Sequence, residues 1–125
     1  MYTPAFAKPL SRRVLKGRDD RHEAAVKRDV RALVVARDGS CRLSATELFG
    51  PCRGPSEWAH LFRRRSHTVG EAPELRHSTR ASVFFCRKHH AMEETRKLKA
   101  EPLTLDGADG RLRFSSGQTI YDEPA

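Results

Sequence analysis

The stretch Cys86-Arg87-Lys88-His89-His90-Ala91-Met92-Glu93-Glu94 holds the densest group of metal-capable side chains in this 125-residue chain. Read as the start of a helix, it sets Cys86 and His89 three apart on one face. His90 and Glu94 are four apart on a neighbouring face, since each residue turns the helix by about 100°. Thiolate with imidazole suits a closed zinc site, and imidazole with carboxylate suits an open site for a harder divalent cation. One short helix would then serve two metals.

The chain has three cysteines. An odd set completed by a histidine points to zinc rather than to disulfides. Cys41, Cys52, Cys86 and His89 form a Cys3His set for tetrahedral structural Zn2+, on which folding would depend. Cys86 and His89 have good ligand spacing. Cys41 and Cys52 are eleven apart, against the usual pair of about two to four, but a longer loop closes at small entropic cost. The alternative is three reduced cysteines packed as small apolar groups.

The elements that must position these residues follow from periodicity. Val26, Val30, Leu33 and Val34 recur on one helical face, which predicts a helix from about Asp20 to Arg37. Asp20 is its expected cap, with Glu23 completing a capping box and Gly39 ending it. Ser56–Leu61 reads as a strand with Trp58 and His60 on one face and Glu57 and Ala59 on the other. Residues 66–81 read as a polar loop, Ser82–Phe85 as a second strand, and Arg87 to about Leu98 as a helix. Residues 101–105 and 111–114 flank a glycine turn and predict a hairpin. The organisation is a flexible basic arm over 1–19, a domain over 20–114 and a tail over 115–125. The class is α+β.

Lys and Arg number 24 against 16 Asp and Glu, a formal net charge of +8. That excess points to a polyanionic partner, most simply nucleic acid. No apolar run approaches the ~20 residues of a membrane span. The first ten residues lack the pattern of a secretory leader. The chain reads as intracellular and cytoplasmic.

Trp58-Ala59-His60-Leu61, a basic loop, and Phe85-Cys86-Arg87-Lys88-His89-His90 together resemble the HNH endonuclease family, in particular its short phage and bacterial members. The resemblance covers about residues 38–114, including the Gly107-Ala108-Asp109-Gly110 stretch. It implies a ββα-metal core that hydrolyses DNA phosphodiester bonds, leaving a 5′-phosphate and a 3′-hydroxyl. By resemblance His60 is the general base, a role suited to an imidazole near neutral pH. His90 is by the same token a ligand of a catalytic Mg2+, Mn2+ or Ni2+, with Glu94 one turn later as a second. Arg53, Arg63, Arg64, Arg65, Arg76, Arg80, Arg87 and Lys88 would contact DNA phosphates. A place beside phage packaging or recombination machinery is implied by family analogy alone.

Two positions depart from the family pattern. Ala59 stands where an acidic or histidine metal ligand often precedes the base. Ala81 stands nine residues before His90, where the family usually has an asparagine bracing the base; His77, Thr79 and Ser82 are candidate replacements, His77 foremost because an imidazole can donate a hydrogen bond or ligate metal. These departures define the competing expectation, a zinc-stabilised DNA-binding module that has lost catalysis.

Overall fold

The computed structural model describes residues 12–61 and 77–125. Its described residues form a small α+β fold with two helices and two small antiparallel sheets. Helix α1 spans Arg12–Asp38. Strands β1 (Ser56–His60) and β2 (Ser82–Cys86) pair antiparallel, and helix α2 (Arg87–Glu94) follows β2 without a break. Strands β3 (Lys99–Pro102), β4 (Leu112–Ser116) and β5 (Thr119–Asp122) form the second sheet in the order β3-β4-β5. None of the helices among the described residues is long and apolar enough to cross a membrane.

Helix α1 starts at Arg12, so Asp20 is an exposed interior residue rather than a cap. Residues 12–19 carry no apolar period, but Arg, Leu and Lys are good helix formers and extend a helix already nucleated downstream. Val34 is fully buried and Val26 and Val30 are half-buried, whereas Leu33 is 60% exposed. The buried stripe is centred near Val30, and Leu33 falls at its edge. Gly39, at φ +72°, ends the helix by donating its N–H to the Val35 carbonyl at 2.8 Å.

The β1–β2 register sets Ser56 opposite Cys86, Trp58 opposite Phe84, and His60 opposite Ser82. Glu57 and Ala59 thus share a face with Phe85 and Val83, and Trp58 shares the other with Phe84. The first face joins the main core, where Phe85 meets Phe114 of β4 edge-on with ring centroids 6.1 Å apart. The second face lies towards α1, where Arg31 sits 5.5 Å above the Phe84 ring.

Helix α2 stops at Glu94, short of the expected Leu98. Arg96 adopts a left-handed conformation (φ 62°), and Lys97 N–H returns to the Met92 carbonyl at 2.8 Å. This cap turns Leu98 into the core, where it is buried, and starts β3. The expected hairpin is present as β3 and β4, with Pro102 opposite Leu112 and a 3-10 turn over Gly107–Asp109 between them. The stretch read as a C-terminal tail instead completes β4 and forms β5, with Phe114 opposite Tyr121.

An ionic cluster ties these parts together. Asp38, its side chain 2% exposed, accepts from Arg37, from Arg42 and from the Phe84 backbone N–H. Arg37 also donates to Asp109 and to the Thr79 and Ser82 carbonyls. Arg42 grips both carboxylate oxygens of Glu123, at 2.9 and 2.8 Å, and donates to the Ala108 and Gly110 carbonyls. Glu123 in turn accepts from Leu112 N–H at 2.8 Å. Burial works against the Arg37 cation, but Asp38 and Asp109 outweigh it and raise its pKa.

Candidate functional site

Four ligand atoms, from Cys41, Cys52, Cys86 and His89, lie within 4.8 Å of one another. Tetrahedral zinc with bonds of about 2.3 Å to sulfur and 2.0 Å to nitrogen would hold each sulfur roughly 3.6 Å from the imidazole nitrogen. In this chain His89 Nδ1 lies 3.4 Å from Cys41 Sγ, 3.8 Å from Cys52 Sγ and 3.2 Å from Cys86 Sγ. These distances bracket the tetrahedral value. On its other side, His89 Nε2 faces the Phe49 carbonyl at 3.3 Å. That oxygen takes the ring hydrogen at Nε2 and leaves the lone pair at Nδ1, among the sulfurs. All three cysteines are free of disulfides. The group could hold a metal such as zinc.

The wide Cys41–Cys52 spacing closes because the spacer is folded. A 3-10 turn over Arg42–Ala45 is followed by a second turn in which Gly50 N–H donates to the Glu47 carbonyl at 3.0 Å. Leu43 and Phe49 anchor the two turns in the core. After Cys52, the carbonyls of Arg53 and Pro55 accept from Lys88 N–H at 3.1 Å and Arg87 N–H at 2.9 Å. They satisfy donors that the first turn of α2 cannot satisfy within the helix. Gly54 permits this approach. Its φ is +82°, and a Cβ there would come within 2.8 Å of the Arg87 Cβ.

Cys86 is both a candidate ligand and the N-cap of α2, accepting from His89 N–H at 3.4 Å. Burial opposes its thiolate, yet the N–H groups of His89 and Arg53, with the neighbouring thiols, hold it below the usual thiol value. Burial pushes the Cys41 thiol up to about 12 and raises Cys52 as well. Three thiols this close, two of them buried, resist carrying three negative charges alone, and a divalent cation would compensate them. The donor set therefore fits a soft-to-borderline metal.

His90 lies beside this centre in a different group. Its Nδ1 is 3.1 Å from Glu57 Oε1, and its Nε2 is 3.3 Å from Glu94 Oε1. The other Glu57 oxygen lies 3.3 Å from Arg87 Nε. The hydrogen bond from His90, with help from Arg87, holds the Glu57 carboxyl below the usual carboxylate range. Glu94 stands one turn from His90, as its spacing predicts. Glu57 had no expected role, although strand alternation already set it on the face of Ala59.

His60 belongs to a third group. Its Nε2 is 3.0 Å from His77 Nδ1, and His77 Nε2 is 2.8 Å from Glu23 Oε1 of α1. The Trp58 ring packs beside both imidazoles, with centroids 4.5 Å from His60 and 5.9 Å from His77. His60 and Trp58 leave β1 on one face and Glu57 on the other. Glu57 and His60 are also three residues apart, roughly 10 Å along a strand. Strand geometry thus starts the His60 and His90 groups from opposite faces of β1.

Of the basic residues expected at DNA, Arg63, Arg64, Arg65 and Arg76 lie outside the described residues. Arg87 is 67% exposed beside Glu57. Lys88 Nζ reaches the Pro51 carbonyl at 3.3 Å, and Arg80 donates to the Leu105 carbonyl. Arg53 is exposed at the rim of the cysteine loop. Arg87 and Lys88 belong to the first turn of α2, and Arg53 meets that turn through its carbonyl, which accepts from Lys88 N–H. No family model, curated protein or solved structure matches the chain.

Proposed function

We propose that this chain is a metal-dependent DNA endonuclease or nickase of the HNH kind, built on a zinc-supported ββα-metal core. The observation that carries the reading is the His60 ring at the end of β1, held by His77, which is itself held by Glu23. An imidazole oriented by a second polar group is the arrangement general-base chemistry needs.

In this mechanism His60 takes a proton from water as the water oxygen bonds to phosphorus. The P–O3′ bond breaks, its electron pair stays on the 3′ oxygen, and that oxygen is then protonated. Mg2+, Mn2+ or Ni2+ bound by His90 and Glu94 would stabilise negative charge on the phosphate and the departing oxygen. The donors fit such a cation. A ring with a carboxylate at each nitrogen can keep N–H towards one, and direct its lone pair with the other carboxylate onto a metal. Arg53, Arg87 and Lys88 supply sequence-independent phosphate contacts.

The test is a plasmid-nicking assay across Mg2+, Mn2+ and Ni2+. The parent protein is expected to nick DNA, and His60→Ala to lose at least about 100-fold in rate while DNA affinity is retained. Equal cutting by His60→Ala removes His60 as the base.

A second reading is favoured by the departure of His60 and Glu57 from opposite faces of β1. On this reading the chain is a zinc-stabilised DNA-binding module without catalysis. It is distinguished by salt-sensitive DNA binding and one zinc per chain, with no cleavage under any of the three metals.

A further inference from the structure

The hydrogen bonds around His60 determine which of its two nitrogens is the basic one. A carboxylate only accepts, so His77 Nε2, 2.8 Å from Glu23 Oε1, carries the ring hydrogen. A neutral imidazole holds one such hydrogen, so His77 Nδ1 is an acceptor. The hydrogen in the 3.0 Å contact between the rings then belongs to His60 Nε2. The His60 lone pair is thereby assigned to Nδ1. We infer that Glu23 is a positioning residue, which acts from α1 through His77 to fix Nδ1 of His60 as the nitrogen that takes a proton from water. For its reaction this inference rests on the endonuclease reading, but the tautomer can be read without any reaction.

The surroundings suit the role. The His77 side chain is 12% exposed and that of Glu23 26% exposed, so the contact is largely sheltered from competing water. Lys27, one turn along α1, places its Nζ 3.9 Å from Glu23 Oε1. Trp58 covers both rings and adds no charge. A contact that merely pinned α1 to the site would leave the His60 tautomer unchanged when Glu23 is replaced.

The experiment has two arms. Long-range proton–nitrogen spectra of full-length, nitrogen-15-labelled protein should show both His60 and His77 as Nε2–H tautomers, and Glu23→Ala should lose that form at His60. In the nicking assay Glu23→Ala should be slower by roughly 10- to 100-fold, the range for groups that orient a functional imidazole. Glu23→Gln can still accept from His77 through its amide oxygen, so it should keep the tautomer and most of the rate. It also covers the case in which Glu23→Ala folds poorly. An Nδ1–H tautomer at His60 in the parent overturns the inference, as do His60 spectra that Glu23→Ala leaves unchanged. A parent that cuts with none of the three metals ends the nuclease reading instead, and the spectra then decide by themselves whether Glu23 sets the tautomer.

Discussion

Asp38 meets two guanidinium groups and a backbone N–H with a side chain that is 2% exposed. Truncating it strands Arg37 and Arg42 in sheltered surroundings. Asp38→Ala is expected to cost about 3–5 kcal/mol, the range for breaking one side of a buried ion pair. Urea unfolding checks this, and Asp38→Asn should cost less because it can still accept from Phe84 N–H. His60, His77, His90 and Glu94 stand out in the sequence because their residue types and spacing suggest chemistry. Glu57 was legible by alternation from Ala59. Glu23 was not, because it meets His77 across 54 residues and no local pattern announces so distant a partner. The ionic cluster around Asp38 was hidden for the same reason, since Arg42 and Glu123 are 81 residues apart.

Among the elements, the cysteine loop and α2 depend on each other. The loop closes the donors of the first helical turn, and the helix presents Cys86 and His89 to the loop. Cys52→Ser is expected to reduce bound zinc from one per chain towards zero, as read by a colorimetric chelator after unfolding. Stripping the metal from the parent should lower its melting temperature by several degrees or more, because metal affinity is in part folding free energy. Gly54→Ala tests the same junction without touching a ligand. Its strained φ and the approach to Arg87 should cost about 1–3 kcal/mol while the zinc count stays at one. The strands and α2 were legible because β-rich runs and an i, i+4 pattern mark them. Their ends were less so. Leu98 left the helix because a left-handed residue at Arg96 turned it into the core. β5 escaped notice because it is four residues long and turns Ile120 outward, 57% exposed, so no inward apolar alternation marks it.

On the scale of the whole molecule, the proposed DNA contact draws on a formal net charge of +8 and on Arg53, Arg87 and Lys88 at the first turn of α2. DNA affinity is expected to fall steeply with salt, and each phosphate contact removed by Arg53→Ala, Arg87→Ala or Lys88→Ala should lower the log–log slope by roughly 1. Titrations at several salt concentrations measure it, and a flat response would argue against DNA as the partner. The α+β class followed from element order, but the joining of α1, β2 and the C-terminal strand into one body did not, since the side chains that join them are charged and far apart in sequence. One consequence concerns α1. It is fastened at its C-terminal end by Arg37 and Asp38, while Glu23 lies fifteen residues earlier, about 22 Å along a helix. Over that arm a flexure of about 5° displaces the carboxylate by about 2 Å, enough to break a hydrogen bond. The orientation of a histidine on a strand then depends on how straight a helix runs past it, and a proline at Ala32, between Glu23 and the ion pairs, would loosen the Glu23–His77 contact without replacing either residue.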